Sequence, residues 1–305
     1  MYSPSMRYPS ADLRALRRAR PLLGTIVEIR VDGAGLSGAE CAVAAAFEEM
    51  SRIESLMGRN APDSDLARLN AAPVGHAIVV DDRTATLLRW CASLQAQSAG
   101  LFDVTAPLTP GHARGPDARG WRVVGRQAVR TAPVILDLDG IAKGYAVDRA
   151  VAILKRHGVT NGAVSAGGDL RMFGSLAADA TVTVSLPLSA QELRLLVPRR
   201  SAIATSARFP AALAAGGLAP GEIVDPSRGR VLDKVAAVTI RADTCTVADA
   251  LTKIVAIDRI RSEPCLDRYQ ATAWITELAR RPLRVQRRLP RHHGHPSVRD
   301  HAVAI

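Results

Sequence analysis

Residues 25–31, Thr-Ile-Val-Glu-Ile-Arg-Val, put Val27, Ile29 and Val31 on one face of an extended chain and Ile26, Glu28 and Arg30 on the other. That alternation predicts a half-solvated antiparallel strand. From Ala39 to Met57 the apolar positions Val43, Ala46, Phe47, Met50, Ile53, Leu56 and Met57 recur at helical spacing, so an amphipathic helix follows. Pro62-Asp63-Ser64 stops the chain and caps a short helix through Asn70. Another helix is predicted from Arg83 to Ser98, closed by Gly100.

Further along, strands are predicted at 121–124 and 134–138. After Asp139-Gly140 a helix carries Val147, Ala150, Val151, Ile153 and Leu154 inward until Gly158. Residues 163–166 resume as a strand, and strand-like runs follow at 180–186, 193–197, 201–205 and 236–240. A helix from Thr246 to Ile257 and a strand at 271–275 complete the periodic part; after Arg280 the period is lost. Strands and helices mix without a regular βαβ repeat, which predicts an α+β fold, a mostly antiparallel sheet with packed helices. The organisation read from the chain is a basic N-terminal extension (1–19), one domain (20–279) and a basic tail without regular structure (280–305).

Composition agrees with that picture and narrows the chemistry. With 48% hydrophobic and 23% charged residues the chain can build a sizeable core, but aromatics make up only 4%, so few rings can stack on a planar ligand. The net charge of +11 is concentrated at 14–20 and 280–291. Without interleaved aromatics, such ends read as solvated charge rather than a nucleic-acid surface. Cys41, Cys91, Cys245 and Cys265 are far apart and form no CxxC pair, which argues against a zinc site or a disulfide scaffold. His292, His293 and His295 cluster in the tail and read as part of it. The start of the sequence has no signal-peptide pattern and no apolar run is long enough to cross a bilayer, so a soluble cytoplasmic protein is expected.

Gly33-Ala-Gly35-Leu-Ser-Gly38 fits GxGxxG between a strand and a helix. Glu28 and Arg30 interrupt the apolar run that a central parallel strand requires, and Asp32 would set a carboxylate beside the pyrophosphate. A strand-to-helix loop is the better reading.

Three stretches carry chemistry. In Asp137-Leu-Asp139-Gly140-Ile-Ala-Lys143-Gly144-Tyr145-Ala-Val-Asp148, a glycine turn and a lysine meet at the mouth of a helix, whose free N–H groups attract phosphate; a capped helix with a solvated lysine reads equally well. In Ala166-Gly167-Gly168-Asp169 the glycines allow close approach of a ligand, or form an ordinary turn. In Thr246-Val-Ala-Asp249-Ala-Leu-Thr252-Lys253 the last three polar groups share a helix face, where oxygen ligands could hold Mg²⁺. Thr246 and Asp249 also fit a capping box, in which the acid only closes the helix start. Gly100-Leu-Phe102-Asp103-Val-Thr105, Ala204-Thr205-Ser206 and the Glu222-Ile223-Val-Asp225-Pro226 turn are weaker signals.

Taken in order with Leu23-Gly24-Thr25, Pro62-Asp63-Ser64 through Leu69-Asn70 and Ala248-Asp249-Ala250-Leu251, these pieces resemble the ApbE family of FAD:protein FMN transferases over residues 20–275. The resemblance implies an ApbE-like FAD-binding fold, with Mg²⁺ over the pyrophosphate and a Thr or Ser of a target protein as acceptor. Carried over by position, it implies FAD contacts at Leu23, Leu101, Phe102, Asp103, Asp137, Lys143 and Ile223. Metal ligation falls to Gly140, through its carbonyl, and to Asp249, while Gly168, Asp169, Thr205 and Ser206 line the cleft.

Three departures alter these expectations. Asn60 stands where the family has an aromatic for flavin stacking, preceded by Gly58 in place of the usual Ser. Glu222 replaces a His and becomes a candidate base for the acceptor hydroxyl. Lys253 occupies the position of a metal-binding Thr, so either Thr252 substitutes as oxygen ligand or the ammonium meets phosphate directly; looser Mg²⁺ binding is expected. Two other outcomes fit the same residues: a pyrophosphatase giving FMN and AMP, and a non-catalytic flavin-binding relative.

Overall fold

The computed structural model describes residues 6–7, 15–32, 38–58, 61–105, 119–174, 180–185, 192–197, 201–207, 223–232, 236–277, 284–288 and 303–304. Its main element is an eight-stranded sheet in the order β16-β15-β14-β11-β8-β7-β3-β2. These strands are β2 (Ala15–Leu22), β3 (Thr25–Asp32), β7 (Gly162–Ala166), β8 (Asp169–Phe173), β11 (Ala202–Ala207), β14 (Ala236–Ala242), β15 (Thr272–Glu277) and β16 (Arg284–Arg288). Each neighbouring pair in this sheet is antiparallel, in keeping with the α+β expectation.

Three smaller sheets accompany it: β1 (Met6–Arg7) with β9 (Ala180–Ser185), β10 (Glu192–Val197) and β17 (Val303–Ala304); β4 (Ala77–Val79) with β5 (Trp121–Val124) and β6 (Gln127–Arg130); and the hairpin β12 (Val224–Asp225) and β13 (Arg230–Val231). The helices are α1 (Ala39–Met57), α2 (Asp65–Ala71), α3 (Asp82–Gln97), α4 (Ala142–Arg156), α5 (Cys245–Ile257) and α6 (Glu263–Arg268).

The predicted faces of β3 hold: Val27, Ile29 and Val31 are fully buried, while Ile26 is exposed. Arg30, expected on the solvated face, is buried. Helix α1 packs its apolar stripe on α4, and α4 in turn packs on β7, β8 and α5. Helix α5 is buried nearly all round, from Cys245 to Val255, between α4 and strands β11 and β14. A fully buried Leu or Ile in this layer contributes on the order of 2 kcal/mol, and those burials fix the two helices against the sheet.

Several expectations are corrected. Residues 134–138 are extended but belong to no sheet. Asn70 substitutes for a neighbouring strand: its side-chain amide donates to Leu136 O at 2.9 Å and accepts from Leu136 N at 2.9 Å. Asp137 N then donates to Val104 O at 2.7 Å, so the backbone polar groups are satisfied without a ladder. Strand β8 was not anticipated, because it is buried on both faces and Asp-Leu-Arg-Met-Phe has no clear alternation. Strand β6 and helix α6 were also missed.

The basic ends are not merely solvated charge either. Arg17 and Arg18 lie on β2, an edge strand, and pair with Glu28 and Glu40. Exposed cations on an edge discourage pairing with another chain. At the other edge, β16 continues the sheet past the point where the period disappears. The GxGxxG segment at 33–37, most of the 107–120 loop and the histidine cluster lie outside the described residues.

Candidate active site

Two chain reversals and the end of a strand meet at one end of the large sheet. The Leu23-Gly24 turn joins β2 to β3; Gly167-Gly168 joins β7 to β8; and β11 runs past Ala204, the partner of Asp169, to Thr205 and Ser206. Gly167 adopts φ of 61°, a left-handed conformation that suits glycine in so tight a reversal. Gly167 N reaches Ile26 O at 3.4 Å and Thr205 N donates to Gly168 O at 2.8 Å, tying the reversals together. Leu23, itself at φ 56°, donates its N–H to Glu54 Oε1 of α1 at 2.7 Å.

Over this end lie the starts of α4 and the middle of α5. Gly144 allows the approach: a Cβ there would stand 2.4 Å from Cys245 O and 2.8 Å from Asp249 Cβ. The closeness lets Gly144 N, one of the free amides of the α4 mouth, donate to Asp249 Oδ2 at 3.1 Å. Asp249 therefore does not close the capping box proposed for its own helix. That work is done by Thr244, which accepts from Val247 N at 3.3 Å, and by Asp148 of α4, which accepts from Cys245 N, Thr246 N and Thr246 Oγ1 at 2.9, 2.8 and 2.5 Å. Asp148 also pairs with Arg171 on β8.

Two ammonium groups and a set of carboxylates converge here. Lys143 donates to Asp139 O at 3.1 Å. Burial alone would lower its pKa, but the charges of Asp249, Asp169, Asp139 and Asp137 outweigh that and hold it above the ordinary lysine range. Lys253 donates to Asp249 Oδ1 and, at 3.1 Å, to Asp249 O. Asp169 is buried and its Oδ2 has no hydrogen-bond partner among the described residues. Burial and the nearby Asp249 push its pKa up to about 8, against the opposing pull of Lys143 and Lys253. Such a carboxyl holds its proton near neutrality and can donate a hydrogen bond.

The expected ligand-contact residues thus divide. Asp137, Lys143, Gly168, Asp169, Thr205 and Ser206 gather in this region together with Gly140, Asp249, Thr252 and Lys253. Leu101 and Phe102, expected to touch the ligand, are 1% and 5% exposed and pack within the core. Asp103 turns its carboxylate back onto Thr105 N and Oγ1 at 2.8 and 2.7 Å. Ile223 sits beside the separate β12–β13 hairpin, its carbonyl accepting from Leu232 N at 2.9 Å. Asn60 and Glu222 lie outside the described residues.

The donor set does not fit a divalent cation. One oxygen of Asp249 accepts the Gly144 amide and the other accepts Lys253. Thr252 is fully buried, and its hydroxyl is engaged with Asp249 O at 2.6 Å and Ser206 Oγ at 2.7 Å. Asp148 and Gly144 shape this region through contacts that sequence reasoning left unassigned. Asp148 was visible only as the end of a motif, because its partners lie 97 and 98 residues away.

Known proteins resemble this chain in both sequence and fold. The FAD:protein FMN transferase of Vibrio cholerae is 24% identical over 259 residues, covering 76% of this chain and 78% of that protein. The enzyme of the same name from Treponema pallidum is 25% identical over 282 residues, covering 79% of this chain and 78% of its own length. The crystal structure of Pseudomonas stutzeri flavinyl transferase ApbE, apo form, superposes with a TM-score of 0.75 at 18% identity, over 91% of this chain and 96% of that one. No helix among the described residues is long and apolar enough to cross a membrane. The sequence model of the ApbE family matches residues 23–264, which take in the Leu23 turn, the α4 mouth, the Gly168 turn and Asp249, and the chain belongs to that family.

Proposed function

We propose that this chain transfers the FMN half of FAD onto a Thr or Ser hydroxyl of an acceptor protein and releases AMP. The observation that carries the reading is the meeting of the α4 mouth, with Lys143, and the Gly168-Asp169 turn at one end of the sheet. An ammonium group at the positive end of a helix suits a pyrophosphate, and the glycine turn carries no side chain to obstruct its approach. The names of its relatives point the same way.

In the proposed reaction the acceptor oxygen forms a bond to the FMN-side phosphorus. The anhydride P–O bond breaks, and its electron pair leaves with AMP. The hydroxyl proton is assigned to Glu222, adjacent in sequence to Ile223. Lys143 offsets the negative charge that builds on the pyrophosphate oxygens, the chief demand of phosphoryl transfer. Asp169, protonated near neutrality, can donate to a ligand acceptor atom beside Gly168. The resemblance gives Mg²⁺ a part in this chemistry at Gly140 and Asp249, with Thr252 as a substitute oxygen ligand; the paired state of Asp249 speaks against it.

Incubation with FAD and candidate acceptor proteins tests the reading. The expected result is an acceptor mass increased by one FMN on a Thr- or Ser-containing peptide, with one AMP released per transfer. AMP and free FMN without acceptor labelling would replace it by a pyrophosphatase, since water can attack the same phosphorus. Retained FAD with no AMP under any condition would leave a flavin-binding protein.

A further inference from the structure

We infer that Lys253 is a built-in cation standing between Gly140 and Asp249, where the family resemblance puts a divalent metal, so that this chain binds FAD without one. The inference rests on the proposed function for its ligand, but not for its geometry. A methyl group on Gly140 would lie 3.7 Å from Lys253 Cε, so the lysine stem passes in van der Waals reach of that residue. Its ammonium group ends on Asp249 Oδ1 and Asp249 O. The side chain keeps 19% of its surface exposed, while Asp249 keeps 2%. The lysine thus bridges from the buried acid toward the open side.

An ammonium group has three N–H donors, and Asp249 takes two of them. One remains for a phosphate oxygen. A divalent ion placed there would need about six oxygen ligands. Of the three groups expected to serve it, Asp249 has both oxygens occupied and Thr252 has turned its hydroxyl to Ser206 and the helix carbonyl. Such an ion would also face the Lys253 charge directly. Lysine demands no fixed coordination number, and it satisfies the carboxylate that an absent metal would leave bare. Together with Lys143, it gives the cleft two fixed positive charges facing the same group of acids.

The test uses the whole chain and reads binding as well as turnover. Mn²⁺ is titrated into the wild-type protein, Lys253→Thr and Lys253→Met with electron paramagnetic resonance detection, and FAD affinity is followed by flavin fluorescence in EDTA and in Mg²⁺. The wild type is expected to bind no Mn²⁺ into the millimolar range and to hold FAD within about twofold equally in both buffers. Lys253→Thr should bind Mn²⁺ at least about tenfold tighter than the wild type, and its FAD affinity should fall in EDTA and recover in Mg²⁺. Lys253→Met, which keeps the apolar stem but offers neither charge nor oxygen, should lose FAD affinity in both buffers.

Mn²⁺ bound by the wild type and released by Asp249→Asn would overturn the inference. A folded Lys253→Thr protein that gains no metal would do the same. If that variant does not fold, wild-type FAD affinity in Lys253→Met decides against it. FAD held in EDTA with no AMP release or acceptor labelling upholds the internal cation and removes the transferase reading. No FAD binding in either buffer removes the transferase reading and leaves the Mn²⁺ result to decide Lys253.

Discussion

Helix α4 lends a cation to two acidic clusters, and they are built on opposite terms. Around Glu49 of α1, Arg83 donates to both carboxylate oxygens at 3.0 and 2.7 Å and Arg149 of α4 adds a bond at 2.9 Å. Burial pushes Glu49 up, but the hydrogen bonds and charge of the two arginines prevail and hold it below the ordinary range. Around Asp169 the balance is reversed: one oxygen has no partner, a second acid lies nearby, and the carboxyl is pushed up to about 8. A satisfied acid clasps three helices together. An unsatisfied one at a cleft is what a site looks like before its ligand arrives.

The contrast can be broken by exchanging the loss of a cation in one cluster for the loss of an acid in the other. Lys143→Met should slow AMP release from FAD by about a hundredfold or more, the scale of removing one preorganised charge at a phosphoryl centre. Initial rates at saturating FAD check it, with urea melts to verify that the fold survives. Glu49→Gln should cost about 2 kcal/mol in urea denaturation and leave FAD affinity unchanged, because two partly exposed arginines lose their common partner. A drop in FAD affinity with no loss of stability would abolish the distinction between the two clusters.

Asp169→Asn should have the smallest effect and the most specific. Because the folded-state pKa lies above the unfolded one, the native protein holds a proton that the unfolded chain releases. Stability therefore falls as pH rises from about 4 toward about 8. The Asn variant should lose that slope and gain on the order of 1 kcal/mol above about pH 8. The Glu49 contribution has the opposite sign: it is present above the ordinary carboxylate range and disappears as pH falls through the lowered pKa. Stability against pH for both variants separates the two.

The elements with a single buried face were legible in the chain. Helices α1 and α4 and strand β3 follow from apolar spacing, and α5 from its length and start. What could not be read there depends on partners distant in sequence. Asn70 acting as a strand for Leu136, Asp148 capping a helix 97 residues on, and Arg17 finding Glu28 across β2 and β3 leave no periodic trace. The candidate site was legible as motifs, but their meaning changed on assembly. Asp249, expected as a metal ligand or a cap, meets the amide of Gly144 and the ammonium of Lys253. Leu101 and Phe102, expected as ligand contacts, are also part of the core, which their motif does not reveal.

By receiving the first amides of α5 and the guanidinium of Arg171, Asp148 bolts α4, α5 and β8 into one block. That block cannot yield by parting its helices, so the amides of 245 and 246 should exchange with solvent only on global unfolding. An incoming molecule then meets Lys143 and Lys253 already tethered on that foundation, each donating to the carbonyl four residues before it.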